Sequence, residues 1–109
     1  MYRAIKAGHI VDSDDLPTLS DGTAGGIEAD TITFELCGRY VDDWVLVTED
    51  EIRNAMKRVF ETHRWVIEGA AGVAVASFLK SGEKLRGKTV VIIVCGGNID
   101  IDKFKELVF

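Results

Sequence analysis

The residues best placed to do chemistry follow an apolar run. Val90, Val91, Ile92, Ile93 and Val94 are unbroken and β-branched, and Cys95, Gly96, Gly97 and Asn98 come directly after. A run apolar on both faces predicts a strand buried on both sides, as in a helix-covered parallel sheet. Paired glycines let the backbone turn sharply or let another group approach. In open α/β sheets ligands sit beyond the carboxyl ends of strands. Cys95 stands at such an end, although a plain strand followed by a turn fits the same pattern. Ser20–Gly26, SDGTAGG, is a second glycine-rich stretch. It suits backbone lying against a flat or anionic ligand, or simply a tight connection. Glu68 precedes GAAGVAVASFL. At a helix N-terminus it is either a surface carboxylate matched to the dipole or one aimed into a pocket. His63 is a ligand, a base, or a helix-end imidazole near the last carbonyls. No second histidine, carboxylate or thiol stands near it at metal-ligand spacing, so no metal site is expected.

The elements that must position these residues are mostly helices. Thr48, Glu49, Asp50 and Glu51 match a capping box. Ile52, Ala55, Met56, Val59, Phe60 and His63 then recur at three- and four-residue steps, one apolar stripe. The Gly- and Ala-rich segment after Glu68 reads as a closely packed, buried helix. Asp30 or Thr31 can cap a helix with Ile32, Phe34, Leu36, Cys37, Tyr40 and Val41 on one face, in which Gly38 is unfavourable. Met1–Ala7 reads as the end of a helix stopped at Gly8, and Asp12–Asp15 as a polar loop. Trp44–Val47, Trp65–Ile67 and Val90–Val94 are the expected strands, Ser81–Lys88 a charged loop, and Asp100 or Asp102 the cap of a last helix.

With 109 residues, one domain spanning residues 1–109 is expected. A net charge of −5 without a basic stripe argues against nucleic acid or an anionic membrane as partner. No apolar run reaches the ~18 residues of a membrane span. The opening MYRAIKAGHIVD lacks a signal peptide's long apolar stretch. Cys37 and Cys95 are too few for a disulfide scaffold, so reduced thiols and a cytoplasmic location are expected. The class is α/β: a partial three-layer sandwich, a few-stranded sheet flanked by helices. Two or three strands are fewer than most sheets hold. The fold therefore looks incomplete, or completed by association.

Taken together, SDGTAGG at Ser20–Gly26, TFELCGRYVDDWVLVTEDEI at Thr33–Ile52, EGAAGVAVA at Glu68–Ala76 and VVIIVCGGNID at Val90–Asp100 resemble one family. The sequence is similar to the C-terminal part of the fold-type II pyridoxal-phosphate enzymes, the threonine/serine dehydratase and serine racemase group. The resemblance implies that Cys95 contacts the cofactor's pyridine nitrogen as a neutral partner. It implies that the backbone of Gly22 packs on one face of the ring, and that Glu68, Gly96 and Asn98 belong to the same pocket. Gly38 stands where relatives often carry a charged residue.

The family's Schiff-base lysine motif, its asparagine-bearing loop and its four-glycine phosphate loop have no counterpart among these residues. The family's cation-binding carboxylates correspond to positions before Met1. Lys6, Lys80 and Lys88 lie in polar segments. Such chemistry needs a lysine to form the imine and move a proton. The resemblance therefore implies a fragment or truncated dehydratase that is not catalytic alone, with no catalytic residue of its own. In the parent, the reaction would remove water from serine or threonine. The alternative is a non-catalytic module that self-associates or binds a small ligand. A homodimer, or a complementing N-terminal half, is the expected partner.

Overall fold

The computed structural model describes residues 1–12 and 16–109. Most of the polar loop expected at Asp12–Asp15 falls outside them. The chain divides into two compact units, Met1–Leu16 with Ala24–Trp44, and Pro17–Thr23 with Val45–Phe109.

In the first unit, α1 (Tyr2–Ala7) ends at Gly8, whose φ of 78° is left-handed and whose N–H reaches the Ala4 and Ile5 carbonyls. Glycine adopts that conformation without a side-chain clash. α2 (Ile32–Tyr40) begins at Thr31, whose hydroxyl accepts from the Thr33 N–H. α1 and α2 pack together, with the Ile5 side chain beside Gly38. No residue of α2 is buried, and Ile32, Leu36, Tyr40 and Val41 are exposed. The predicted apolar face exists on the helix but is largely uncovered.

In the second unit, α3 (Glu49–His63) starts with the expected capping box. The Glu51 N–H donates to the Thr48 hydroxyl at 3.2 Å, and the Thr48 N–H donates to the Glu51 carboxylate at 2.7 Å. Ile52, Ala55, Met56 and Val59 form its buried stripe. α4 (Gly69–Lys80) meets this stripe with Ala71, Gly72, Val75 and Ala76. A Cβ at Gly72 would lie 2.9 Å from Met56 Cγ and 3.0 Å from Ile52 Cγ2, so the two helices approach across a missing side chain. α5 is one short turn, Gly82–Leu85, inside the stretch expected to be loop. α6 (Ile101–Val108) is capped by Asp100 and buries Phe104 and Val108. Phe104 packs edge-on against Phe60, with ring centroids 5.6 Å apart.

The chain departs from expectation in its strands. None forms at Trp44–Val47, Trp65–Ile67 or Val90–Val94, and there is no strand elsewhere among the described residues. The few-stranded sheet expected for an α/β sandwich is therefore not seen among the described residues, whose regular elements are helical. A strand is defined by its ladder, and β-branched composition expresses itself only against a paired neighbour. Here the segments Val66–Glu68 and Gly96–Asn98 lie side by side, yet a single backbone bond, Glu68 N–H to Gly96 C=O at 3.1 Å, joins them. Val91 and Ile93 remain 80% and 68% exposed.

Candidate functional site

The site is assembled where three segments of the second unit meet: the 3₁₀ turn Asp21–Thr23, the N-terminus of α4 and the segment Gly96–Asn98, which forms no turn despite its paired glycines. The first is fastened from behind. Glu49 accepts from the Thr18 hydroxyl at 2.8 Å and from the Leu19 N–H at 2.7 Å. Ser20 is buried, and its hydroxyl lies 2.6 Å from that of Thr23. The Leu19 carbonyl sits against α4: a Cβ at Gly69 would stand 1.8 Å from that oxygen. Only glycine allows this approach without moving backbone.

Glu68, the N-cap of α4, holds the arrangement together. Its side chain does not cap its own helix. Instead Oε2 accepts the Asn98 N–H at 2.9 Å, while the Glu68 N–H donates to Gly96. A Cβ on Gly96 would lie 2.3 Å from Oε1, and one on Gly22 would lie 3.8 Å from the same atom. Oε1 thus lies near both glycines. It has no hydrogen-bond partner among the described residues.

A cleft of ≈ 170 Å³ lies alongside, bordered by Asp21, Glu68, Gly69, Asn98, Asp100 and Lys103 among others. Lys103 Nζ bonds Asp21 Oδ2 at 3.0 Å. That bond, the ammonium charge and the Gly22 N–H hold the Asp21 carboxyl below the usual carboxylate range. Asp100 is lowered by the Lys103 and Asp102 backbone N–H groups that it caps. Three carboxylates against one ammonium make the cleft negative. It suits a cationic or ring-nitrogen group, and it is a poor seat for phosphate.

Of the residues singled out from sequence, Gly22, Glu68, Gly96 and Asn98 come together. Cys95 joins them only as the neighbour of Gly96; its thiol is free and exposed. Asp21, Gly69 and Lys103 were missed as site residues. Gly69 carried a signal, since a glycine at the start of a helix often marks a close approach. His63 ends α3 away from this cleft, beside Trp65 with ring centroids 5.5 Å apart, in an apolar groove of ≈ 270 Å³ that Phe78, Ile92 and Val94 also border. The final carbonyls of α3 are served by the Arg64 guanidinium, which donates to Phe60 and Glu61. Among the described residues no three His, Cys, Asp or Glu side chains are grouped so that they could hold a metal ion. No helix there is long and apolar enough to cross a membrane.

The family model for pyridoxal-phosphate dependent enzymes matches residues 1–96. The chain belongs to this family. Within it, a putative threonine dehydratase of Sinorhizobium fredii is 36% identical over 109 residues, covering 99% of this chain and 33% of the relative. An L-threonine ammonia-lyase of Thermotoga maritima is 37% identical over 108 residues, covering 99% of this chain and 26% of that one. The crystal structure of serine racemase from Dictyostelium discoideum superposes with a TM-score of 0.77 at 35% identity, covering 92% of this chain and 32% of that chain. The chain thus spans about a third or less of the length of these relatives. Motif resemblance and comparison agree on a fold-type II, dehydratase-like member of the pyridoxal-phosphate family. The family's cofactor tests the site. A negative cleft bordered by Asp21, Glu68 and Asn98, with Gly22 and Gly96 beside the Glu68 carboxylate, suits a pyridine-ring nitrogen and does not suit a phosphate.

Proposed function

We propose that this chain supplies the pyridine-ring side of a pyridoxal-phosphate site in a threonine/serine dehydratase-like lyase acting on hydroxy-amino acids. The observation that carries the reading is the convergence of Gly22, Gly96 and Asn98 on the Glu68 carboxylate. When bound, pyridoxal phosphate supplies an electron sink for charge developing at the substrate's α-carbon. In this reading Gly22 leaves one ring face uncovered by side chain. Cys95 offers the ring nitrogen a neutral partner. Glu68, Gly96 and Asn98 fix the segment that carries Cys95.

The chain acts with a second polypeptide segment that brings the imine-forming lysine and the phosphate loop. Lys103, the cleft's own amine, is already engaged by the Asp21 carboxylate at 3.0 Å. The exposed Val90, Val91, Ile93 and Val94 support such a partner, because an unpaired apolar segment is a template for strand addition and sheet completion. The same exposure supports the second reading, a self-associating homodimer without catalysis. Both readings place the chain in the cytoplasm, in keeping with two free thiols.

The experiment is a titration with pyridoxal phosphate followed by absorbance. One arm holds the chain alone. The other adds the lysine-bearing N-terminal two-thirds of a threonine dehydratase. An imine band that appears in the mixture, and is lost when that lysine is replaced, supports the ring-side role. No band in a mixture that sediments as a complex overturns it. A dimer of the chain alone, with no complex formed, favours the second reading.

A further inference from the structure

We infer that Lys103 is a positioning residue that holds Gly22 beside the Glu68 carboxylate through Asp21. This rests on the reading of the cleft as the ring side of the cofactor site.

The Asp21 carboxylate is shared between two donors. Oδ1 accepts the Gly22 N–H at 2.9 Å, and Oδ2 accepts Lys103 Nζ at 3.0 Å. Restraint on the carboxylate is therefore restraint on the Gly22 peptide. The rest of the turn has other anchors. Thr18 and Leu19 are held by Glu49, and Ser20 is buried. The Thr23 N–H donates back to the Ser20 carbonyl at 2.9 Å. Asp21 and Gly22 stand exposed between these anchors. Among the described residues, Lys103 makes the one side-chain bond from the Asp-Gly pair to another element.

Lys103 is itself well seated. Its own N–H donates to the Asp100 cap at 3.1 Å, and its neighbour Phe104 is only 1% exposed in the core. The ammonium thus reaches out from a fixed point on α6. An exposed ion pair adds little to global stability. Its consequence here is geometric: one salt bridge, spanning 82 residues of chain, selects one orientation for the glycine beside Glu68.

The test compares wild type, Lys103→Ala and Lys103→Arg. The first readout is amide hydrogen exchange at Gly22 in the chain without ligand. In Lys103→Ala it should be about two- to five-fold faster, the range an exposed pair supplies, while the urea midpoint stays within error of wild type. Lys103→Arg, which keeps a donor and the charge, should restore the slow rate. The second readout is the pyridoxal-phosphate concentration for half-maximal absorbance change in the mixture described above. It should rise in Lys103→Ala and recover in Lys103→Arg. Unchanged exchange in Lys103→Ala, or no recovery with arginine, overturns the role of Lys103. Faster exchange with unaltered cofactor uptake overturns the link to the ligand. If wild type itself takes up no cofactor, the reading of the cleft fails, and exchange alone decides whether Lys103 holds the turn.

Discussion

Replacing Gly96 by alanine sets two small effects against each other. The added methyl would stand 2.3 Å from Glu68 Oε1, 2.5 Å from Cδ and 3.0 Å from Oε2. To restore ordinary contact the carboxylate must retreat by about 1 Å, which carries Oε2 out of hydrogen-bond range of the Asn98 N–H. Bonds to charged acceptors contribute about 1.5–3 kcal/mol, but Asn98 is exposed and its N–H regains water, so the loss is about 1 kcal/mol. Against this, alanine narrows the unfolded ensemble and stabilises by about 0.4–1 kcal/mol where the backbone accepts it. Gly96 is not among the positive-φ residues, so the backbone does accept it. The single variant should therefore be close to neutral. In a Glu68→Ala background the obstructing carboxylate is gone, and Gly96→Ala should stabilise by about 0.4–1 kcal/mol. The coupling between the two positions is then about 1 kcal/mol. Urea unfolding followed by the fluorescence of Trp44 and Trp65 resolves this, since at a slope of about 2 kcal/mol/M it moves the midpoint by about 0.5 M. Equal effects of Gly96→Ala in both backgrounds would refute the reasoning, for then the methyl does not meet Glu68.

Other outcomes follow from the same packing. Gly69→Ala places its methyl 1.8 Å from the Leu19 carbonyl oxygen and 2.8 Å from the Ser20 nitrogen, both backbone. It should destabilise by about 2–3 kcal/mol in urea unfolding, and truncating the Leu19 side chain should not relieve it. Phe104→Ala removes a ring that is 1% exposed between α6 and α3 and should cost about 3–5 kcal/mol by the same assay. The Glu51 carboxyl is held below its usual range by the Thr48 N–H and then by Lys80. Because its folded value is depressed, its contribution is fully present above the unfolded value and is lost as pH falls through the folded one. Urea midpoints taken from pH 7 to pH 3 should therefore fall less steeply in Glu51→Gln than in wild type.

The helices were legible because their signals are local. The Thr48–Glu51 box, the stripe from Ile52 to Val59, the left-handed Gly8 and the Asp100 cap each depend on residues within a turn or two. The strands were not. Val90–Val94 has the composition of a buried strand, but pairing is a property of two segments. Here the neighbouring Val66–Glu68 stretch offers a single bond.

The candidate site divides in the same way. Chain order alone puts Cys95, Gly96 and Asn98 on one short segment, and places Glu68 at the head of α4. Motif resemblance named Gly22 as their companion. Only folding showed that Glu68 reaches 30 residues along the chain to the Asn98 N–H, that Gly69 is required by the Leu19 carbonyl, and that Lys103 holds Asp21 from 82 residues away. Periodicity and capping act over a few residues, so they can be read from the chain directly. Which distant carboxylate meets which N–H or ammonium depends on how the α3, α4 and α6 faces pack, and no short window of sequence contains that.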